Sequence, residues 1–182
     1  MDFRLLYEGP LPGRHAKAED KQRIRETLHP QLQQLWSQPP LSELTSLLAF
    51  PPEPGKPSVI VERGPLKYAP LVTKVLDLYA ELAVLMFRPQ PRGDLITNEG
   101  DVDNRLKTLL DALRVPRGTS EAPSPQAPAR GIFYCLLQDD SLVTKVSAET
   151  EQLLRPADPA TVVALIHVTV KKTRTSFANL AF

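Results

Sequence analysis

One cysteine stands in the 182 residues, so an intramolecular disulfide is excluded. Cys135 lies in the apolar run IFYCLL with no histidine nearby in sequence, which predicts a buried thiol in a reducing compartment rather than a nucleophile. Equally missing are a Cys/His cluster at zinc spacing, a glycine-rich phosphate loop and an internal repeat. The longest apolar stretch, 78–87, is interrupted by Glu81 and is too short to span a bilayer. The start of the chain has no basic region followed by an apolar core, which argues against a signal peptide. A soluble, cytoplasmic protein without membrane contact is the expectation. Charge of one sign is also scarce: 22 Lys and Arg face 21 Asp and Glu, for a net +1. Nucleic-acid binders usually carry a basic excess, so any such surface here must come from uneven placement of charge.

Proline, by contrast, is abundant. Its 19 copies are about twice the ordinary usage of roughly 5%. They cluster, and so mark loops in a chain whose 42% hydrophobic and 24% charged residues are ordinary for a globular protein. One domain spanning residues 1–182 is the most economical organisation.

In chain order, residues 3–8 read as a strand closed by Gly-Pro turn signals. Residues 18–36 read as a helix with an apolar stripe of Ile24, Leu28, Leu32, Leu35 and Trp36; Pro30 predicts a kink or two helices meeting. Arg14, His15, Lys17, Lys21, Arg23 and Arg25 make this part basic, either a solvated helix face or a patch that touches phosphates. A short helix is predicted over 41–48 and a loop over 51–57. A hairpin turning at 62–65 follows. The dense apolar run 76–88 predicts a central strand covered on both faces. Residues 115–129 carry Pro116, Pro123, Pro125 and Pro128 without an apolar period, and predict a flexible loop. Strands are predicted at 142–146 and 161–170; His167 in the latter reads as a packed or sheet-face residue.

The chain is organised around 100–114, GDVDNRLKTLLDALR. Leu106, Leu109, Leu110 and Leu113 have the spacing of an amphipathic helix. At roughly 100° per residue, Asp103, Lys107, Asp111 and Arg114 share a neighbouring face. Asp101 and Asp103 sit at the positive end of that helix with Lys107 one turn on, and a second acidic pair, Asp139-Asp140, follows a later apolar segment. Two acidic clusters and a lysine suit a metal-assisted phosphate site, because magnesium takes oxygen ligands and keeps positions open for a phosphate and a water. The same residues have plainer uses. Aspartate caps helices, Asp-Asp makes turns, and Lys107 with Asp111 can form an i, i+4 ion pair.

This pattern resembles the RusA family of Holliday junction resolvases. The resemblance rests on Asp101, Asp103, Asn104, Lys107, Leu110, Asp111, Ala112, Leu113, Asp139 and Asp140, and is densest over 101–114 and 139–146. It implies an α+β fold with a mixed sheet and helices mainly on one face. It also implies a homodimeric, magnesium-dependent endonuclease acting on branched DNA, with manganese as a substitute cation. By the same resemblance Asp101, Asp103 and Asp140 are the metal ligands, and with Lys107 they form the catalytic set. Asp139 reads as a residue supporting the ligands or as a turn residue, Asn104 as orienting a carboxylate or adding to the helix cap, and Arg105 as facing DNA or as a merely exposed arginine. Two alternatives stand beside this reading: a junction- or DNA-binding homologue that does not cut, and a protein-interaction domain whose aspartates are structural.

Overall fold

A computed structural model describes residues 1–90, 102–122 and 131–182. Among these the chain forms an α+β domain of two helices and two mixed sheets. The first strand, β1 (Asp2–Pro10), buries Leu5 and Tyr7 and turns Arg4, Leu6 and Glu8 outward, the alternation of a strand with one covered face. The helix α1 (Ala18–Trp36) lays Ile24, Leu28, Leu32 and Trp36 into the core, as its periodicity predicts. A hairpin of β2 (Val61–Arg63) and β3 (Leu66–Val72) turns at Gly64, whose φ of 58° favours glycine. Then come β4 (Leu78–Arg88), α2 (Val102–Leu113), β5 (Ile132–Leu137), β6 (Val143–Gln152) and β7 (Thr161–Lys172).

The larger sheet has the order β1-β7-β4-β6, with β7 antiparallel to both neighbours and β6 parallel to β4. Its inner face presents Leu82, Val84 and Met86 of β4 and Ala164, Ile166 and Val168 of β7 to the apolar sides of both helices, forming one core. The smaller sheet has the order β2-β3-β5, with β3 and β5 parallel. A second apolar cluster there holds Leu66, Tyr68, Val115, Phe133 and Cys135. Cys135 is the buried core thiol expected, and burial pushes its pKa up to about 12.

The path of α2 positions the site. β4 runs from Leu78 to Arg88, and the first turn of α2 lies at the Arg88 end, where the Arg105 guanidinium donates to the Leu11 carbonyl just past β1. At the other end, the Val115 amide donates to the Leu137 carbonyl at 2.9 Å, and the Gln138 amide donates to the Val72 carbonyl at 2.9 Å. The helix thus returns along the sheet from the Arg88 end towards the Leu78 end.

Several expectations are corrected. The strands form two sheets rather than one, because β4 already has β6 and β7 on its two edges, leaving β5 to pair with β3. β4 is central but covered on one face only: its buried residues alternate with Tyr79, Glu81, Ala83, Leu85 and Phe87 on a partly open face. The helix α1 passes through Pro30 as one element; Pro30 is on the exposed side, where water can serve the carbonyl that loses its donor. Residues 41–48 form two short 3₁₀ turns, Leu41–Glu43 and Thr45–Leu48, instead of a helix. The stretch predicted to be a flexible loop starts as packed structure. Val115 and Pro116 are buried, the Arg63 side chain donates to the Pro116 carbonyl, and Thr119–Glu121 is a 3₁₀ turn. Residues 123–130 of that stretch lie outside the described residues. No helix among the described residues is long and apolar enough to cross a membrane.

Candidate functional site

The predicted polar face of α2 divides into two halves with different surroundings. In the first half Asp103 and Lys107 are exposed, one turn apart. Among the described residues, neither side chain is engaged in an ion pair or a side-chain hydrogen bond. Asp103 is in the first helical turn, where the dipole stabilises a carboxylate. Asp101 lies outside the described residues. Leu109, Ala112 and Leu113 hold the helix down, and Leu106 and Leu110 pack against the same core.

In the second half every charge has a partner. The Lys21 ammonium lies 2.6 Å from Asp111, and Arg114, only 2% exposed, meets Asp111 at 3.1 Å and Glu121 at 2.9 Å. Burial alone would raise the pKa of Asp111, but the hydrogen bond from Lys21 and the charges of Lys21 and Arg114 outweigh it and hold the carboxyl below its ordinary range. Glu121 is likewise held low: burial opposes, and Arg114 together with the Arg117 amide prevails. Both groups are therefore ionised structural partners.

Asp140 belongs to this second half. Both of its carboxylate oxygens lie 3.2 Å from one Arg117 nitrogen, and Arg114 Nε is 3.9 Å from one of them. Asp139 caps the 3₁₀ turn Asp140–Leu142 by accepting from the Ser141 amide at 3.0 Å, a bond that lowers its pKa. Of the two roles expected of it, Asp139 takes that of a turn residue.

Asp103 and Asp140 consequently lie towards opposite ends of α2. From Asp103 to Arg114 the backbone rises about 16 Å at 1.5 Å per residue. Among the described residues, no group of three His, Cys, Asp or Glu side chains is placed to hold a metal. Asp103 has the free, exposed carboxylate that a cation site needs. Asp140 is instead paired with the exposed Arg117 side chain, with Arg114 Nε 3.9 Å away.

The basic part of α1 also resolves differently from a phosphate patch. Lys21 is committed to Asp111, and Arg23 pairs with Asp20 at 3.4 Å. Arg25 is 2% exposed and donates to three backbone carbonyls, those of Asp111 (2.9 Å), Arg114 (3.3 Å) and Glu121 (3.3 Å). Arg105, expected to face DNA, is 8% exposed and turned towards Leu11. His167 stands on the open sheet face, 3.6 Å from Asp2.

Sequence reasoning missed three buried arginines whose positions were readable. Arg25 sits three residues before Leu28 and seven before Leu32, so it falls on the apolar stripe of α1. Arg114 follows the last buried turn of α2. Arg88 continues the inward alternation of Leu82, Val84 and Met86.

No protein-family model matches the chain, and no curated protein matches it.

Proposed function

We propose that the protein is a magnesium-dependent, structure-specific DNA endonuclease that cuts four-way junctions, as the resemblance of residues 101–114 and 139–146 to the RusA family implies. The supporting observation is the free, exposed pair Asp103 and Lys107 on the first turns of α2. Asp101 and Asp103 are the carboxylates assigned to the cation, which when bound polarises a phosphate and acidifies a water. Lys107 supplies a positive charge to the phosphate as it gains negative charge. Asp140 is assigned to the ion network at the other end of α2 and not to the cation. A homodimer would present two equal sites to the two strands of a symmetric junction.

The test is cleavage of an end-labelled four-way junction with and without magnesium. Magnesium-dependent cutting that Asp103→Asn abolishes and Asp140→Asn retains is the expected result. Absence of cutting by the unaltered protein at any magnesium or manganese concentration rejects it.

A second reading, junction binding without cutting, is favoured by one specific observation. Asp140, a metal ligand by resemblance, is paired with Arg117. Tight junction binding without cleavage supports that reading.

A further inference from the structure

The inner face of β4 ends in a charge that no described residue balances. Arg88 is 4% exposed, and its Nη1 has no hydrogen-bond partner. Among the described residues no carboxylate pairs with it. Burial lowers its pKa with no opposing acidic group. A guanidinium removed from water without an anion is unfavourable, and a fold that keeps one inside usually supplies a counter-charge.

The space beside Arg88 is large enough to admit one. Arg88 lines a groove of about 880 Å³ between the β1–α1 connection, the start of α2 and the turn before β7. Arg14 stands exposed on it and Arg105 lies in its wall, so three guanidinium side chains share one concavity. Among the described residues two carboxylates also line it, and both are already in use. Asp20 accepts from the Lys17 amide at 3.0 Å and pairs with Arg23, while Asp158 accepts from the Ala160 amide at 2.7 Å. Gln90 adds a second unmet group. Its amide nitrogen donates to the Pro159 carbonyl at 2.6 Å, which leaves Oε1 as a buried acceptor without a donor.

We infer that this groove binds a nucleic-acid strand, with Arg88 receiving a backbone phosphodiester and Gln90 Oε1 accepting from a hydroxyl or amino group of the adjoining nucleotide. The inference rests on the nuclease reading for its choice of ligand. The location agrees with that reading, since Arg105 is two residues beyond Asp103 and the groove opens at the same end of α2. An oxyanion alone would leave Gln90 unmet, so a nucleotide satisfies the groove more fully than inorganic phosphate. Arginine suits the task because its planar donor fork matches the oxygens of a phosphate.

The experiment compares the unaltered protein with Arg88→Gln, Arg88→Lys and Asp103→Asn, all without divalent cation so that binding is read apart from cleavage. Fluorescence anisotropy with a labelled junction over a salt series should show Arg88→Gln binding at least tenfold more weakly, with a log–log salt slope shallower by about one. Arg88→Lys should restore the slope but not the full affinity. A deoxycytidine tetranucleotide, whose bases carry an amino group, should raise the melting temperature of the unaltered protein and of Asp103→Asn more than inorganic phosphate does, and should not raise that of Arg88→Gln. Without ligand, Arg88→Gln should melt no lower than the unaltered protein, because the charge it loses is uncompensated. An Arg88→Gln protein that melts several degrees lower and keeps the original salt slope would overturn the inference and make Arg88 a packing residue. Oligonucleotide binding that depends on Arg88 in a protein that never cuts would leave this site standing and remove the nuclease reading. Cleavage and binding that ignore Arg88 would do the reverse.

Discussion

Arg25 Nη2 donates to the main-chain carbonyl of Asp111 at 2.9 Å, so a side chain of α1 closes the carboxyl end of α2. The last carbonyls of a helix have no partner within it, and the dipole there is negative. Arg25 meets both needs, reaching the carbonyls of Asp111 and Arg114 together. Its surroundings are carbonyl oxygens rather than carboxylates, and burial accordingly lowers its pKa. Replacing Arg25 with methionine should destabilise the protein by about 3 kcal/mol, since several buried acceptors lose their donor at once. Urea unfolding at neutral pH measures this; a loss below about 1 kcal/mol would mean that water replaces the cap.

The two halves of α2 should respond differently to loss of a carboxylate. Asp111→Asn leaves Lys21 and Arg114 short of a counter-charge in a mostly buried network and should cost about 2–3 kcal/mol. Asp103→Asn, on the exposed first turn, should cost less than about 1 kcal/mol, the scale of one charge on a helix dipole. The same Asp103→Asn should remove any rise in melting temperature produced by magnesium. Equal destabilisation by the two substitutions would contradict this division.

Lys107→Ala should leave both the fold and the magnesium-dependent melting shift intact while junction cleavage falls at least a hundredfold. Lys107 touches no described partner, so its loss has no structural route to inactivity. Cleavage at the original rate would remove Lys107 from the proposed machinery.

Acid should weaken the protein in two stages. His29 Nδ1 accepts from the Tyr134 amide at 3.0 Å, its ring stacks on Tyr134, and burial lowers its pKa below 6.5. Above about pH 6.5 the imidazole is neutral in both folded and unfolded chains and the contact is intact. Below that value the unfolded chain takes up a proton that the folded chain resists, so stability falls as pH falls. Asp111 and Glu121, whose pKa values are also depressed, keep their contribution above the ordinary carboxylate values of 3.8 and 4.5 and lose it below them. Urea midpoints between pH 7.5 and 3.5 should therefore decline first below about 6.5 and again below about 4.5. His29→Asn, whose side-chain oxygen can accept from the same amide, should flatten only the first decline.

Elements governed by local pattern were legible in the sequence. The leucines of α2, the β-branched run of β7 and the Gly64 turn each state their structure within a dozen residues. What escaped was the choice of partners across long separations. Nothing near β5 says that it pairs with β3 rather than β4, because that depends on which edges of β4 are already taken. Asp140 escaped for a similar reason. Its ligands are Arg117 and Arg114, more than twenty residues away, and an acidic pair before a strand looks the same whether it awaits a cation or already faces guanidinium groups. Arg88 and Arg25 were readable by period alone, yet an arginine on an apolar stripe is easily passed over as solvent-facing.

The pairing of β1 with β7 has a consequence for how the chain is made. Among the described residues β1 has a single sheet neighbour, and Leu5 stands opposite Ile166, far along the sequence. At synthesis rates of about 5–20 residues per second, roughly ten to thirty seconds separate the two strands. Through that interval β1, with Leu5, Leu6 and Tyr7, has no strand to pair with, although α1 is already complete behind it. Leu6 and Gln31 exchange two hydrogen bonds, amide to side chain at 2.9 Å and side chain to carbonyl at 2.7 Å. These bonds occupy the outward-pointing amide and carbonyl of Leu6, so α1 protects part of the edge of β1 that faces away from β7.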